Sequence, residues 1–139
     1  MDFSVKFHNQ PAIIPTGDEN GSGLPTFRLI DENGFSFTLI INGVKHEITI
    51  PKDFITDFAS FPRFLRCIDN PMDPRWLRAA LAHDYLYSTY DAKSNLPNIT
   101  RYEADNVFFY GEKELGSPWY KRYPHYWGVR IGGKSHWKD

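Results

Sequence analysis

Phe3, Val5 and Phe7 alternate with Ser4 and Lys6 at the start of the chain, the two-residue period of a strand with one buried face. The same period returns in Phe35-Ser-Phe-Thr-Leu-Ile-Ile and in Val44-Lys-His-Glu-Ile-Thr-Ile, which meet across Asn42-Gly43. Asn-Gly accepts the two positive φ angles of a type I′ turn, whose twist matches that of paired strands, so residues 35–50 are expected to form a hairpin. Between the first strand and this hairpin lies Gly17-Asp-Glu-Asn-Gly-Ser-Gly. It lacks the Lys-Ser/Thr ending of a phosphate loop and reads as a mobile connection.

The period changes after residue 73. Asp73-Pro74 has the form of an N-cap followed by proline at the first helical position, and Trp76, Ala79/Ala80, His83 and Tyr87 follow at spacings of three and four, predicting a helix over 74–89. Thr100-Arg-Tyr-Glu103 is a capping box, from which Ala104, Asp105, Phe108, Phe109 and Glu112 continue a second helix to Gly116. Ser117-Pro118 opens a third, aromatic segment that Pro124 is expected to kink or interrupt, and Gly132-Gly133 ends regular structure. No repeat or linker divides the chain. The pattern therefore predicts one α+β domain over 1–139, with antiparallel β-hairpins packed on a group of two to three helices: 1–52 mainly strands, 53–73 loop, 74–133 mainly helices.

Composition narrows the classes. A chain of 139 residues with 41% hydrophobic and 24% charged side chains supports one core. Aromatics reach 17%, enough to serve both a core and a binding surface; for Trp119, Tyr120, Tyr123, Tyr126 and Trp127, core packing or a partner interface is favoured over a sugar or base platform. A net charge of −1 provides no long-range field to gather nucleic acid or anionic membrane, so nucleic acid is not an expected partner. The single cysteine, Cys67, excludes an internal disulfide and reads as a buried structural thiol. Neither a cleaved signal nor an apolar run of about 20 residues is visible, so secretion by that route and a membrane span are not expected.

The candidate chemistry centres on His83-Asp84, two adjacent polar residues in the apolar stretch 79–87. They point about 100° apart on a helix, so at least one needs a buried partner. Asp105, near the start of the next helix, would lie alongside His83 in an antiparallel pair and could orient the imidazole for general-base work. Asp84 is then open to a cation or a main-chain donor. Phe54-Ile-Thr-Asp-Phe-Ala-Ser-Phe-Pro-Arg63 adds Asp57, with Thr56 and Ser60, as small oxygen-bearing groups between apolar anchors. A hard cation such as calcium would accept Asp57 and Asp84, whereas zinc would want more nitrogen or sulfur, and His46, His125 and His136 have no zinc-like spacing to His83. The plainer alternatives are a satisfied polar pair, an Asp105 that favours the positive end of its helix, an Asp57 that caps its own turn, and a solvated cluster of Arg63, Arg66, Arg75 and Arg78. A solvent-reachable cleft shared by His83, Asp57, Asp84 and Asp105 would favour chemistry. Burial of all four would rule it out.

Ile50-Pro-Lys-Asp-Phe-Ile-Thr-Asp-Phe-Ala-Ser-Phe-Pro-Arg63, Ala80-Leu-Ala-His-Asp-Tyr-Leu-Tyr87, Arg101-Tyr-Glu-Ala-Asp105 and Tyr126-Trp-Gly-Val-Arg130 together resemble domain-of-unknown-function family 1353, over about residues 35–133. The resemblance implies a phage or prophage origin and carries no function. His83-Asp84-x-x-Tyr87 with Asp105 on the next helix is also similar to the phospholipase A2 core. That similarity implies His83 as the water-activating base, Asp84 as a calcium ligand and Asp105 as the orienting carboxylate. The chain has no Gly-rich calcium loop upstream, so Asp57 would stand in for it by an unrelated route. The leading reading is a phage-encoded hydrolase-like domain, with a divalent cation such as calcium as its candidate cofactor, and its rival is a non-enzymatic virion (tail or assembly) component or phage–host interaction protein. A third is an inhibitor of a host defence enzyme. Host cytoplasm or the virion is the expected location, and oligomers are compatible with either.

Overall fold

The computed structural model describes residues 2–19, 25–56, 77–88 and 99–132. Among these described residues six strands come first: β1 (Phe3–Phe7), β2 (Ile13–Glu19), β3 (Pro25–Leu29), β4 (Phe35–Ile41), β5 (Val44–Ile50) and β6 (Ile55–Thr56). Three helices follow among the described residues: α1 (Leu77–Ser88), α2 (Arg101–Glu114) and α3 (Trp119–Gly132). All pairings are antiparallel, in two three-stranded sheets ordered β1-β4-β5 and β2-β3-β6. The arrangement is α+β, as the change of period predicts.

The β4–β5 hairpin forms in the expected register, from Ile41 opposite Val44 to Phe35 opposite Ile50. Asn42 and Gly43 have φ of 50° and 83°, the values that turn requires. Alternation then puts Phe3 and Val5, Phe35, Phe37 and Leu39, and Ile48 and Ile50 into the core. At 17–19 the structure departs from the expected connection, while 20–23 lie outside the described residues. Gly17 (φ 85°), Asp18 and Glu19 belong to β2, with a register shift between Pro15 and Glu19 against β3. Glycine at positive φ lets a strand absorb such an irregularity without a Cβ clash. Likewise β6 lies at the start of the region expected as loop, its Thr56 paired with Phe27.

Thr100 caps α2 as its sequence predicts: the side chain accepts from the Glu103 amide, and the Glu103 carboxylate accepts from the Thr100 amide. The start expected at Asp73-Pro74 lies outside the described residues. Residues 79–87 of α1 are buried all round, so this helix runs through the interior. It packs on α2 running the opposite way, with Asp105 opposite His83 and Gly111 opposite Ala79. A Cβ on Gly111 would sit 2.8 Å from the Ala79 Cβ and 3.0 Å from Phe7 Cζ, so the absent side chain sets this close approach. α3 packs on the other side of α2 and continues through Pro124. Proline removes the bond to the Tyr120 carbonyl, but both residues lie on an exposed face, where solvent can take the freed oxygen.

Candidate functional site

Both members of the His83-Asp84 pair are buried, and each has a partner. His83 Nε2 lies 2.8 Å from Asp105 Oδ1, as the antiparallel pairing of α1 and α2 predicts. A carboxylate can only accept, so Nε2 carries the proton and Nδ1 carries the lone pair of the neutral ring. Burial pushes the His83 pKa below its ordinary value, and it outweighs the opposing hydrogen bond and charge of Asp105. His83 is therefore neutral at pH 7. Its Nδ1 is buried and has no hydrogen-bond partner among the described residues.

Asp105 holds more than the histidine. The Tyr87 hydroxyl donates to the same Oδ1 at 2.5 Å, and Arg130 Nη1 donates to Oδ2 at 2.7 Å. Tyr87 sits one helical turn beyond His83, on the same face of α1, and its ring lies 4.3 Å from the imidazole. Burial, then the Asp105 bond and charge, raise the Tyr87 phenol well above its ordinary pKa, so it stays a donor. Partial burial opposes the charge on Arg130, yet the bond to Asp105 and its charge outweigh this and hold the guanidinium protonated. Arg101, at the head of α2, donates to the carbonyls of Val129 and Arg130 near the end of α3. It thereby satisfies C-terminal carbonyls and fixes the stretch that presents Arg130.

On the neighbouring face of α1, Asp84 Oδ2 accepts from the Thr56 hydroxyl at 2.5 Å. That contact ties α1 to β6 and brings the Thr56 end of the 54–63 segment to the site. Asp57, the other expected cation ligand, lies outside the described residues, as do Cys67, Arg63, Arg66, Arg75 and His136. Among the described residues no group of three histidine, cysteine or carboxylate side chains could hold a metal ion. The expected Asp57–Asp84 cation pair thus lies only in part within the described residues.

The sequence reading missed Tyr87 and Arg130 as partners of Asp105, although Tyr87 was legible from its four-residue spacing to His83. It also missed a second buried pair: His125 Nδ1 and the Glu112 carboxylate, which join α3 to α2. Glu112 stands seven residues after Asp105, two turns along the same helix, and Phe108 lies between, its ring 5.4 Å from His83 and 6.0 Å from His125. The carboxylates of α2 thus form a polar row within an aromatic interior. Chemically, the His83 centre offers one thing: a neutral imidazole whose bare nitrogen can take a proton, and whose cationic form Asp105 would stabilise. Against access, His83 and Asp105 are fully buried and Asp84 nearly so.

The fold and this centre define an α+β domain with a buried His-Asp-Tyr-Arg cluster between three helices. Residues 36–129 match the model of a family described as a protein of unknown function (DUF1353), and the chain belongs to that family. The match runs from β4 into α3 and includes His83, Asp84, Tyr87 and Asp105, stopping one residue short of Arg130. No match was found among curated proteins or among solved structures. Among the described residues, no helix is long and apolar enough to cross a membrane.

Proposed function

We propose that this chain is a hydrolase-like domain in which His83 is the general base, Asp105 orients it, and Tyr87 and Arg130 hold Asp105 in place. The observation that carries the reading is the buried Nδ1, which has no hydrogen-bond partner among the described residues. A buried acceptor left without a partner costs about 1–3 kcal/mol, and a purely structural latch gains nothing from that cost. A base does gain. The Nδ1 lone pair takes a proton from a water or hydroxyl as that oxygen attacks an ester-like carbon, and the imidazolium returns it to the leaving group. Such a base contributes about 10²–10⁴-fold in rate. The local similarity to the phospholipase A2 helix motif supports an acyl ester as substrate class. Substrate reaches Nδ1 only when the packing over the ring opens.

The test compares wild type with His83→Gln, whose amide can still donate to Asp105, against a panel of soluble and phospholipid esters. The expected result is ester hydrolysis by wild type, its loss in the variant and a nearly unchanged Tm. Turnover that survives in the variant refutes the assignment.

A second reading has its own support. Complete burial of His83 and Asp105 favours a polar latch between α1, α2 and α3, in a virion component or phage–host interaction protein that acts through its surface. On that reading His83→Gln lowers Tm substantially, and the wild type hydrolyses none of the esters.

A further inference from the structure

Trp119, Tyr123, Trp127 and Ile131 recur every fourth residue along α3 and form one stripe, flanked by Tyr120. Trp119 is 66% exposed, Trp127 57% and Ile131 80%, whereas His125, Gly128 and Val129 on the inner side are buried. Of the two roles expected for these aromatics, core packing or a partner interface, core packing does not hold for Trp119, Tyr120, Tyr123 and Trp127. The stripe is about 18 Å long at the helical rise per residue. Through Tyr123 it continues into a groove of about 190 Å³ between α2 and α3, lined by Asn106, Phe109, Tyr110, Tyr123 and Tyr126.

The charges on this helix have one sign. α3 carries Lys121, Arg122 and Arg130 and no carboxylate, in a chain whose net charge is −1, and of these Arg130 is paired with Asp105 of α2. The Arg122 guanidinium stays at the aromatic surface, 5.5 Å from the Phe109 ring centre. Chemistry discriminates between occupants of such a face. Sugar hydroxyls call for carboxylates or amides beside the rings, whereas the stripe has none and Asn106, in the adjoining groove, already donates its amide N–H to the Tyr102 carbonyl. Single-stranded nucleic acid would stack on the rings, but the most exposed residue, Ile131, has no π face to offer. A second copy of the same face would set like charges against each other. Trp and Tyr rings with an aliphatic tip and cations alone suit the boundary between headgroups and acyl chains of an anionic bilayer.

We infer that α3 is a membrane-surface docking element that lies flat on anionic lipid through Trp119, Tyr123, Trp127 and Ile131. The rings insert at headgroup depth while Lys121 and Arg122 contact lipid phosphates, so attachment needs only short-range contacts. Because docking requires no chemistry at His83, the failure of either idea leaves the other standing.

Co-sedimentation of the full chain with phosphatidylcholine vesicles, with and without phosphatidylglycerol, tests the inference. Wild type is expected to bind the anionic vesicles, more weakly at high salt. Trp119→Ala with Trp127→Ala should lower the partition coefficient about tenfold or more, since each loses a ring at the interface. Circular dichroism should show an unchanged fold for this double variant, and His83→Gln should bind as wild type does. The inference is overturned if wild type stays in the supernatant, or if the double variant binds equally well. It is also overturned if the tryptophan pair instead governs self-association in light scattering or binding to a single-stranded oligonucleotide.

Discussion

Replacing Asp105 with Asn probes the centre of the α1–α2–α3 interface. The change is nearly isosteric, but it removes the charge that pairs with Arg130 and turns one of two acceptor oxygens into a donor. His83 and Tyr87 both donate to Oδ1, and Arg130 to Oδ2, so whichever way the new amide faces, at least one buried donor confronts another donor. Breaking a buried ion pair costs about 3–5 kcal/mol when both partners are dry. The Arg130 side chain is 26% exposed, and solvent recovers part of its loss, so about 2–4 kcal/mol is the reasoned cost. For a chain of this length that corresponds to a fall in Tm of roughly 6–15 °C. The assay is thermal and urea unfolding followed by circular dichroism, with the m-value checked to show that compactness is unchanged. A loss below about 0.5 kcal/mol would refute the claim that Asp105 is the shared acceptor of three donors.

Other consequences follow from the same contacts. The folded His83 pKa lies below the ordinary 6.5, so the unfolded chain binds the extra proton as pH falls through that value. Stability should therefore be fully present above pH 6.5 and decline below it, and His83→Gln should flatten that decline in urea titrations; an unchanged slope would contradict a neutral buried ring. Thr56→Val removes the hydroxyl that donates to Asp84 and should cost about 1–3 kcal/mol by urea unfolding; a neutral effect would dismiss this contact as a tie between β6 and α1. Gly111→Ala drives a methyl into Ala79 and Phe7 and should destabilise by about 1–3 kcal/mol despite alanine's better helix propensity; a gain in Tm would show that the α1–α2 approach is looser than described.

What was legible in the sequence was local chemistry and its immediate consequences. Asn42-Gly43 specified its turn because few residues tolerate two positive φ angles, and Thr100 with Glu103 specified a helix start because orphan amides need those acceptors. The His83–Asp105 contact could be reasoned because two polar residues in an apolar helix demand partners and the next helix supplied a carboxylate. Arg130 was not legible as a third partner, since α3 reaches Asp105 only through the way it crosses α2. The Glu112–His125 pair escaped for the same reason. Nor did pattern reveal which side of α3 faces outward: a helix rich in aromatics on several faces leaves that choice to tertiary packing. The pairing of β3 with β6 was hidden too, because a two-residue strand has no period to read.

The proposed chemistry depends on the protonation state of one ring. Nitrogen-15 NMR of the histidine side chains, with His83 assigned by comparison with His83→Gln, reads it directly at neutral pH without knowledge of the substrate. The prediction is a neutral imidazole with hydrogen on Nε2 and a bare Nδ1. A ring protonated on both nitrogens, or carrying its hydrogen on Nδ1, would contradict the reading of His83 as a poised base.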